Sequence, residues 1–152
     1  GGTSSSSAGS IRVFRPGVFT LDGGTIDGGA SKNNGGVFQL AGHTPTTAYS
    51  QVATLNIISG TINGGSSVNG GAISAERFPV LNISGGIVNG GTASKAGGVI
   101  YIYSAYADRD IEVNISGGEI INGTAATGNG IFITKDDECI APTLNISKDV
   151  CQ

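Results

Sequence analysis

The chain has 152 residues, with 27 Gly, no Met or Trp, only 12% charged residues and a formal net charge of −3. That length accommodates one domain of ordinary size, and 38% apolar content argues against disorder for most of it. Paired rather than every-third glycines with only 4 Pro exclude collagen; the acidic balance disfavours nucleic acid; and no run approaches the ~18 apolar residues of a membrane span.

Residues 1–10, GGTSSSSAGS, are poor in apolar side chains and read as a flexible Gly/Ser arm ahead of a single β-helix domain over 11–152. With Gly1 first and no Met anywhere, a processed chain or a piece of a longer one is expected. A repeat then begins: LDGGTIDGG at Leu21, LNIISGTINGG at Leu55, LNISGGIVNGG at Leu81, VNISGGEIINGT at Val113 and a fifth start, LNIS, at Leu144. The starts lie 34, 26, 32 and 31 residues apart, and each full unit carries a second signature: GGVF at Gly35, GGAI at Gly70, GGVI at Gly97 and NGIF at Asn129. A period in this range marks a solenoid.

Inside a unit the period is 2. Leu81 and Ile83 alternate with Asn82 and Ser84, so the aliphatics face one side and the polar residues the other. Gly pairs interrupt the run, a second short strand follows at Ile87-Val88, and GGVIYI makes a third. The expected fold class is all-β, a parallel β-helix of about four to five coils with three short strands per coil. An antiparallel sandwich would ask for hairpin turns that this register does not supply.

The S-G-G-x-I-x-G-G and G-G-(A/V)-I elements resemble right-handed β-helices of the pectin-lyase-like superfamily, and in particular Gly-rich repeats of surface proteins and polymorphic outer-membrane adhesins. The resemblance covers roughly residues 18–147 and implies a fold rather than an activity. A right hand is implied by it and by the bias of parallel crossovers.

The units differ most in the connection that follows the third strand, at 41–52, 75–79, 103–111 and 135–142. Stacked insertions form one edge, where solenoids often bind. That edge carries His43, Tyr49, Arg77, Phe78, Tyr103, Tyr106, Asp108, Arg109, Asp110, Asp136, Asp137 and Glu138. Aromatics beside carboxylates suit sugar rings, so Tyr101, Tyr103, Tyr106, Asp108 and Asp110 are the ligand-edge candidates. Oxygen ligands there would also suit Ca²⁺. No metal or cofactor is expected, because plain corner loops explain the same residues. No catalytic constellation assembles either. The strand positions hold Asn, Ser, Thr and Gly, and His43 has no Cys or carboxylate near it in sequence. A polysaccharide lyase is therefore disfavoured, and no enzyme is expected. Ice binding would need ranks of Thr; Thr25 and Thr61 align, but Ile87 and Glu119 then hold that position.

Asn56, Asn82, Asn114 and Asn145 occupy equivalent positions, with Asp22 in the first unit; Asn63, Asn89 and Asn122 form a second column with Asp27. Rungs about 4.8 Å apart allow amide ladders along the axis. Asn82, Asn114, Asn122 and Asn145 also fit N-x-[ST], which makes them glycosylation candidates. Cys139 and Cys151 are the only cysteines; a disulfide staple between them is expected, consistent with an extracellular, secreted chain.

Neither end shows an amphipathic capping helix. Residues 1–107 carry a net charge of +2 and 108–152 a net −5, a polarity suited to head-to-tail stacking, with IRVF (11–14) able to add a strand to a neighbour. The expected function is an extracellular structural subunit building a glycosylated fibre or surface layer from copies of itself. The alternative is a carbohydrate-binding, adhesive domain.

Overall fold

A computed structural model of the chain describes residues 1–42, 52–105 and 110–147. Its first coil holds β1 (Thr3–Ser4), β2 (Ile11–Phe14) and β3 (Val18–Asp27), and its second β4 (Ala30–Ser31), β5 (Phe38–Ala41) and β6 (Thr54–Asn63). The third coil runs through β7 (Ser66–Asn69), β8 (Ile73–Glu76), β9 (Val80–Ile83) and β10 (Ile87–Asn89). The fourth comprises β11 (Thr92–Ala96), β12 (Ile100–Ser104), β13 (Glu112–Ile115) and β14 (Glu119–Ile121). A fifth closes the described chain with β15 (Thr124–Thr127), β16 (Ile131–Lys135) and β17 (Thr143–Ile146).

Like walls stack on like walls. The first wall is ordered β1-β4-β7-β11-β15 and the second β2-β5-β8-β12-β16. The third runs from β3 through β6 to β9 and β10, then β13 and β14, then β17. Each recorded pair is parallel, so the fold is the expected parallel β-helix, with five coils.

The core lies between the second and third walls. Phe38, Ile73 and Ile100 from one wall meet Leu55, Leu81 and Val113 from the other, all fully buried and in vertical register. The alternation of Ile100, Ile102 inward with Tyr101, Tyr103 outward follows directly from the two-residue period. Burying one such aliphatic contributes about 1.5–3 kcal/mol.

The walls differ from the expected strands in two ways. The Gly pairs after Leu-Asn-Ile-Ser do not turn a corner. Residues on both sides stay in one wall, β6 being continuous from Thr54 to Asn63, and the pairing simply shifts register between Leu21 and Thr25. The true remaining wall is Ser66–Asn69 and its equivalents, which sequence periodicity passes over. Its inward residues are Ser67, Ala93 and Ala125, too small to give a hydrophobic alternation.

This first wall is a pinched lobe. Its neck is closed in the second, third and fourth coils by backbone bonds: Gly29 N–H to Gly36 O at 3.0 Å, Gly65 N–H to Gly71 O at 2.9 Å and Gly91 N–H to Gly98 O at 3.2 Å. A Cβ on Gly65 would stand 1.9 Å from Gly29 O, so the neck closes only around glycine. Small polar side chains line the lobe and bond to its own backbone. Ser67 Oγ–H donates to Gly70 O at 2.9 Å, and the Ser31 hydroxyl donates to Ser7 O.

Residues 1–10, expected as an arm, form the lobe of the first coil. Thr3–Ser4 pairs with Ala30–Ser31, Ala8 is 8% exposed, and Gly9 N–H donates to Gly35 O at 3.0 Å. The lobe needs small residues, so a Ser/Gly run fits it where a core strand would need aliphatics. Among the described residues no helix is long and apolar enough to cross a membrane.

Candidate functional site

Three surfaces hold the residues singled out by the sequence: an aromatic strip on the second wall, the amide columns of the third wall, and the two ends.

The second wall presents two outward columns, Arg12–Gln39–Ser74–Tyr101–Phe132 and Phe14–Ala41–Glu76–Tyr103–Thr134. At the last two coils the rings of Tyr101 and Phe132 stack at 6.1 Å with planes 2° apart, and Tyr101 lies 6.4 Å from Tyr103. Tyr103 Oη donates to Asp136, at 2.9 Å from Oδ1 and 2.8 Å from Oδ2. That bond holds the proton on the phenol and pushes the Tyr103 pKa up to about 12, helped by partial burial and the Asp136 charge. Tyr101 is raised too, first by burial and then by the charges of Glu76 and Asp136. Glu76 Oε1 accepts from Ser74 Oγ at 2.7 Å and Asn34 Nδ2 at 2.8 Å. Beside them Gln39 is 7% exposed, and among the described residues its Oε1 has no hydrogen-bond partner.

Tyr101 and Tyr103 therefore sit together on a wall rather than on the loop edge. Asp110 is engaged elsewhere: its carboxylate accepts the Thr143 N–H at 3.0 Å and the Thr143 hydroxyl, fastening the start of β17. Phe78 is buried, at 6% exposed, and is not among the residues of the central core. His43, Tyr49, Tyr106, Asp108 and Arg109 lie outside the described residues. Phe132, which sequence reading left out, joins the strip because it holds the Tyr101 position one coil later. The repeat register was sufficient to find it.

On the third wall the expected ladders form. Asn82 Nδ2 donates to Asn56 Oδ1 at 2.8 Å, Asn114 Nδ2 to Asn82 Oδ1 at 2.9 Å, and Asn145 Nδ2 to Asn114 Oδ1 at 2.8 Å. The first-coil member is Thr20, whose Oγ1 accepts from Asn56 Nδ2 at 3.3 Å; Asp22, expected there, instead accepts from Ser59 Oγ at 2.9 Å. The expected alignment matched Leu21 to Leu55, whereas the backbone pairs Phe19 with Leu55 and Leu21 with Ile57, because the first unit carries Phe-Thr-Leu where the later ones carry Leu- or Val-Asn-Ile. The second column holds as expected: Asn63 donates to Asp27 at 2.8 Å, Asn89 to Asn63 at 3.3 Å and Asn122 to Asn89 at 3.0 Å. Every amide donates toward the first coil.

The ladders bear on the sequons. Asn114 has both amide hydrogens engaged, the second by Glu112 Oε1 at 2.9 Å. Asn82 and Asn114 are half-buried inside their column, while Asn122 and Asn145 are exposed at the column ends. Cys139 is half-buried and bonded to no described cysteine; Cys151 lies outside the described residues.

The ends expose apolar side chains. At the last coil Ile133 is 37% and Ile146 46% exposed, and Ile121 on the uncovered β14 of the fourth coil is 38% exposed. A groove of about 370 Å³ lies there between Ile115, Ile120, Ile131 and Ile146, beside the uncovered β14. At the first coil the exposed apolar residues, Val18 at 66% and Phe14 at 43%, belong to outward columns, while the inward Val13 and Leu21 are 5% and 6% exposed. No group of three or more metal-ligating side chains occurs among the described residues. No protein-family model, curated protein or solved structure matches the chain.

Proposed function

We propose that the protein is an extracellular structural subunit, a β-helix whose copies stack head-to-tail into a glycosylated fibre or surface layer, with no enzymatic role. One observation carries this reading: among the described residues both terminal coils leave unpaired strand edges, and the last coil exposes the inward-column Ile133 and Ile146. The repeat's resemblance to Gly-rich surface and adhesin β-helices supports it, as does the acidic character of the last coil around Asp136, Asp137 and Glu138. Exposure of Asn122 and Asn145 supports glycans there, and a Cys139–Cys151 staple belongs to the same extracellular reading. Electron microscopy with analytical ultracentrifugation tests it. Filaments with an axial repeat near five rungs, about 24 Å, are expected; a folded chain that stays monomeric at high concentration refutes it.

A second reading, an adhesive carbohydrate-binding surface, is favoured by the outward Tyr101–Tyr103–Phe132 strip flanked by Glu76 and Asp136. Only a ring with an open face can stack on a sugar, and Tyr101 already has one face against Phe132. Retention on a glycan array that survives Tyr101→Ala with Tyr103→Ala would refute it.

A further inference from the structure

We infer that the stacking contact has one defined register, in which the first coil of a second copy continues every column of the last coil, with Arg12 of the second copy over Phe132 and Thr20 over Asn145. This rests on the head-to-tail reading above and specifies the surface that performs it.

Three independent features converge on that register. The first is the core. Ile131 and Ile133 are the last members of the columns that begin at Ile11 and Val13, and Leu144 is the last of the column that begins at Phe19. Laying Ile11 over Ile131 and Phe19 over Leu144 therefore returns each column to its own first residue and buries the exposed aliphatic end. A slip of one residue would turn these side chains to the opposite face.

The second is the outward strip. Phe132 is the outermost ring of the Tyr101–Phe132 stack, so its far face has no described ring upon it. One rung further on, the register brings the guanidinium of Arg12. Within its own chain Arg12 already lies over an aromatic, 5.2 Å from the Phe14 ring centroid, so this side chain adopts a cation–π pose on this wall. The same register brings Arg12 of the second copy toward the end of the second wall that carries Asp136, Asp137 and Glu138.

The third is ladder polarity. Every amide of the first column donates toward the first coil, so Asn145 Oδ1 remains an acceptor at the far end. At the near end Thr20 uses its oxygen to accept from Asn56, which leaves its hydroxyl hydrogen to donate. Stacking Thr20 over Asn145 joins that donor to that acceptor. Head-to-head contact would oppose Thr20 to Thr20 and tail-to-tail contact would oppose acceptor to acceptor. The second column does not extend in this way. It ends at Asn122 in the fourth coil, and β14 has no described strand above it.

Adjacent parallel strands place in-register Cα atoms about 4.8 Å apart, within the range a disulfide bridges. In a Cys139→Ser, Cys151→Ser background, Arg12→Cys chains mixed with Phe132→Cys chains are expected to form covalent dimers under mild oxidation, and the double variant a ladder of multimers. Arg12→Cys with Thr134→Cys lies two residues out of register, about 8 Å apart, and is expected to give about tenfold less product. Electron microscopy of the unsubstituted chain is run in parallel. Filaments without the Arg12–Phe132 crosslink overturn this register while leaving stacking intact. No filaments and no crosslink overturn both. Dimers of Arg12→Cys alone would indicate head-to-head contact and overturn the polarity argument.

Discussion

The pinched neck of the first wall makes Gly65→Ala the sharpest test of the architecture. A Cβ there runs into the backbone of the second coil's neck, 1.9 Å from Gly29 O, 2.8 Å from Gly36 O and 2.9 Å from Gly29 C. Ordinary contact needs about 3.5 Å or more, so two coils would have to separate locally. Three bonds are anchored at this point: Gly65 N–H to Gly71 O, Ser66 N–H to Gly29 O and Thr92 N–H to Gly65 O, each 2.9 Å. Overpacking costs about 1–3 kcal/mol and each of the three weakened bonds about 1 kcal/mol, which sets the loss at about 4–6 kcal/mol. Gly24→Ala provides the control. Gly24 has φ +79° but nothing within 4 Å of its Cβ position, so the cost is conformational alone. The left-handed penalty of about 1–2 kcal/mol, offset partly by the stiffer unfolded chain, leaves about 1 kcal/mol. Urea denaturation followed by far-UV circular dichroism, at one protein concentration because self-association shifts apparent stability, measures both. A Gly65→Ala loss within 1 kcal/mol of Gly24→Ala (a rough bound on resolving the two) would refute the closed neck.

Asn82→Ala removes two interior ladder bonds and is expected to destabilise by about 1–2 kcal/mol, whereas Asn145→Ala, with one bond at the column end, should cost about half as much in the same denaturation series. Leu81→Ala, fully buried, should cost about 2–5 kcal/mol; a smaller effect would show that the two main walls do not enclose it. The raised Tyr103 pKa stabilises the fold fully below pH 10, the unfolded value, and this contribution is lost as pH rises through about 12. Ultraviolet titration should find the Tyr103 phenol ionising late, with Tyr101 raised beside it, and Asp136→Asn should bring Tyr103 back toward the ordinary range. Gln39→Met keeps the shape and removes the unpartnered Oε1, so stability should rise by about 1 kcal/mol; a drop of that size would mean the amide is satisfied in solution.

Much of this protein is written in its repeat. Leu-Asn-Ile-Ser encodes a strand with one apolar face, and its recurrence places Leu55, Leu81, Val113 and Leu144 in one column and the asparagines in the column beside it. Periodicity alone therefore determined the parallel solenoid, the side-chain faces and both amide columns beyond the first coil. Three things were decided by tertiary packing. A wall of Ser, Thr and Ala has no hydrophobic period, so only backbone bonds across the Gly neck reveal it, along with the place of residues 1–10 within it. The register of the first unit, whose Phe-Thr-Leu stands where later units have Leu- or Val-Asn-Ile, was set by strand pairing, which put Thr20 rather than Asp22 at the head of the ladder. Which polar residues stay available for partners was settled by bonding geometry: Asp110 is drawn to Thr143, and Tyr101 and Tyr103 converge with Phe132 because rung stacking brings distant residues together. Local pattern sets which way a side chain faces; what it meets there depends on the coil stacked beside it.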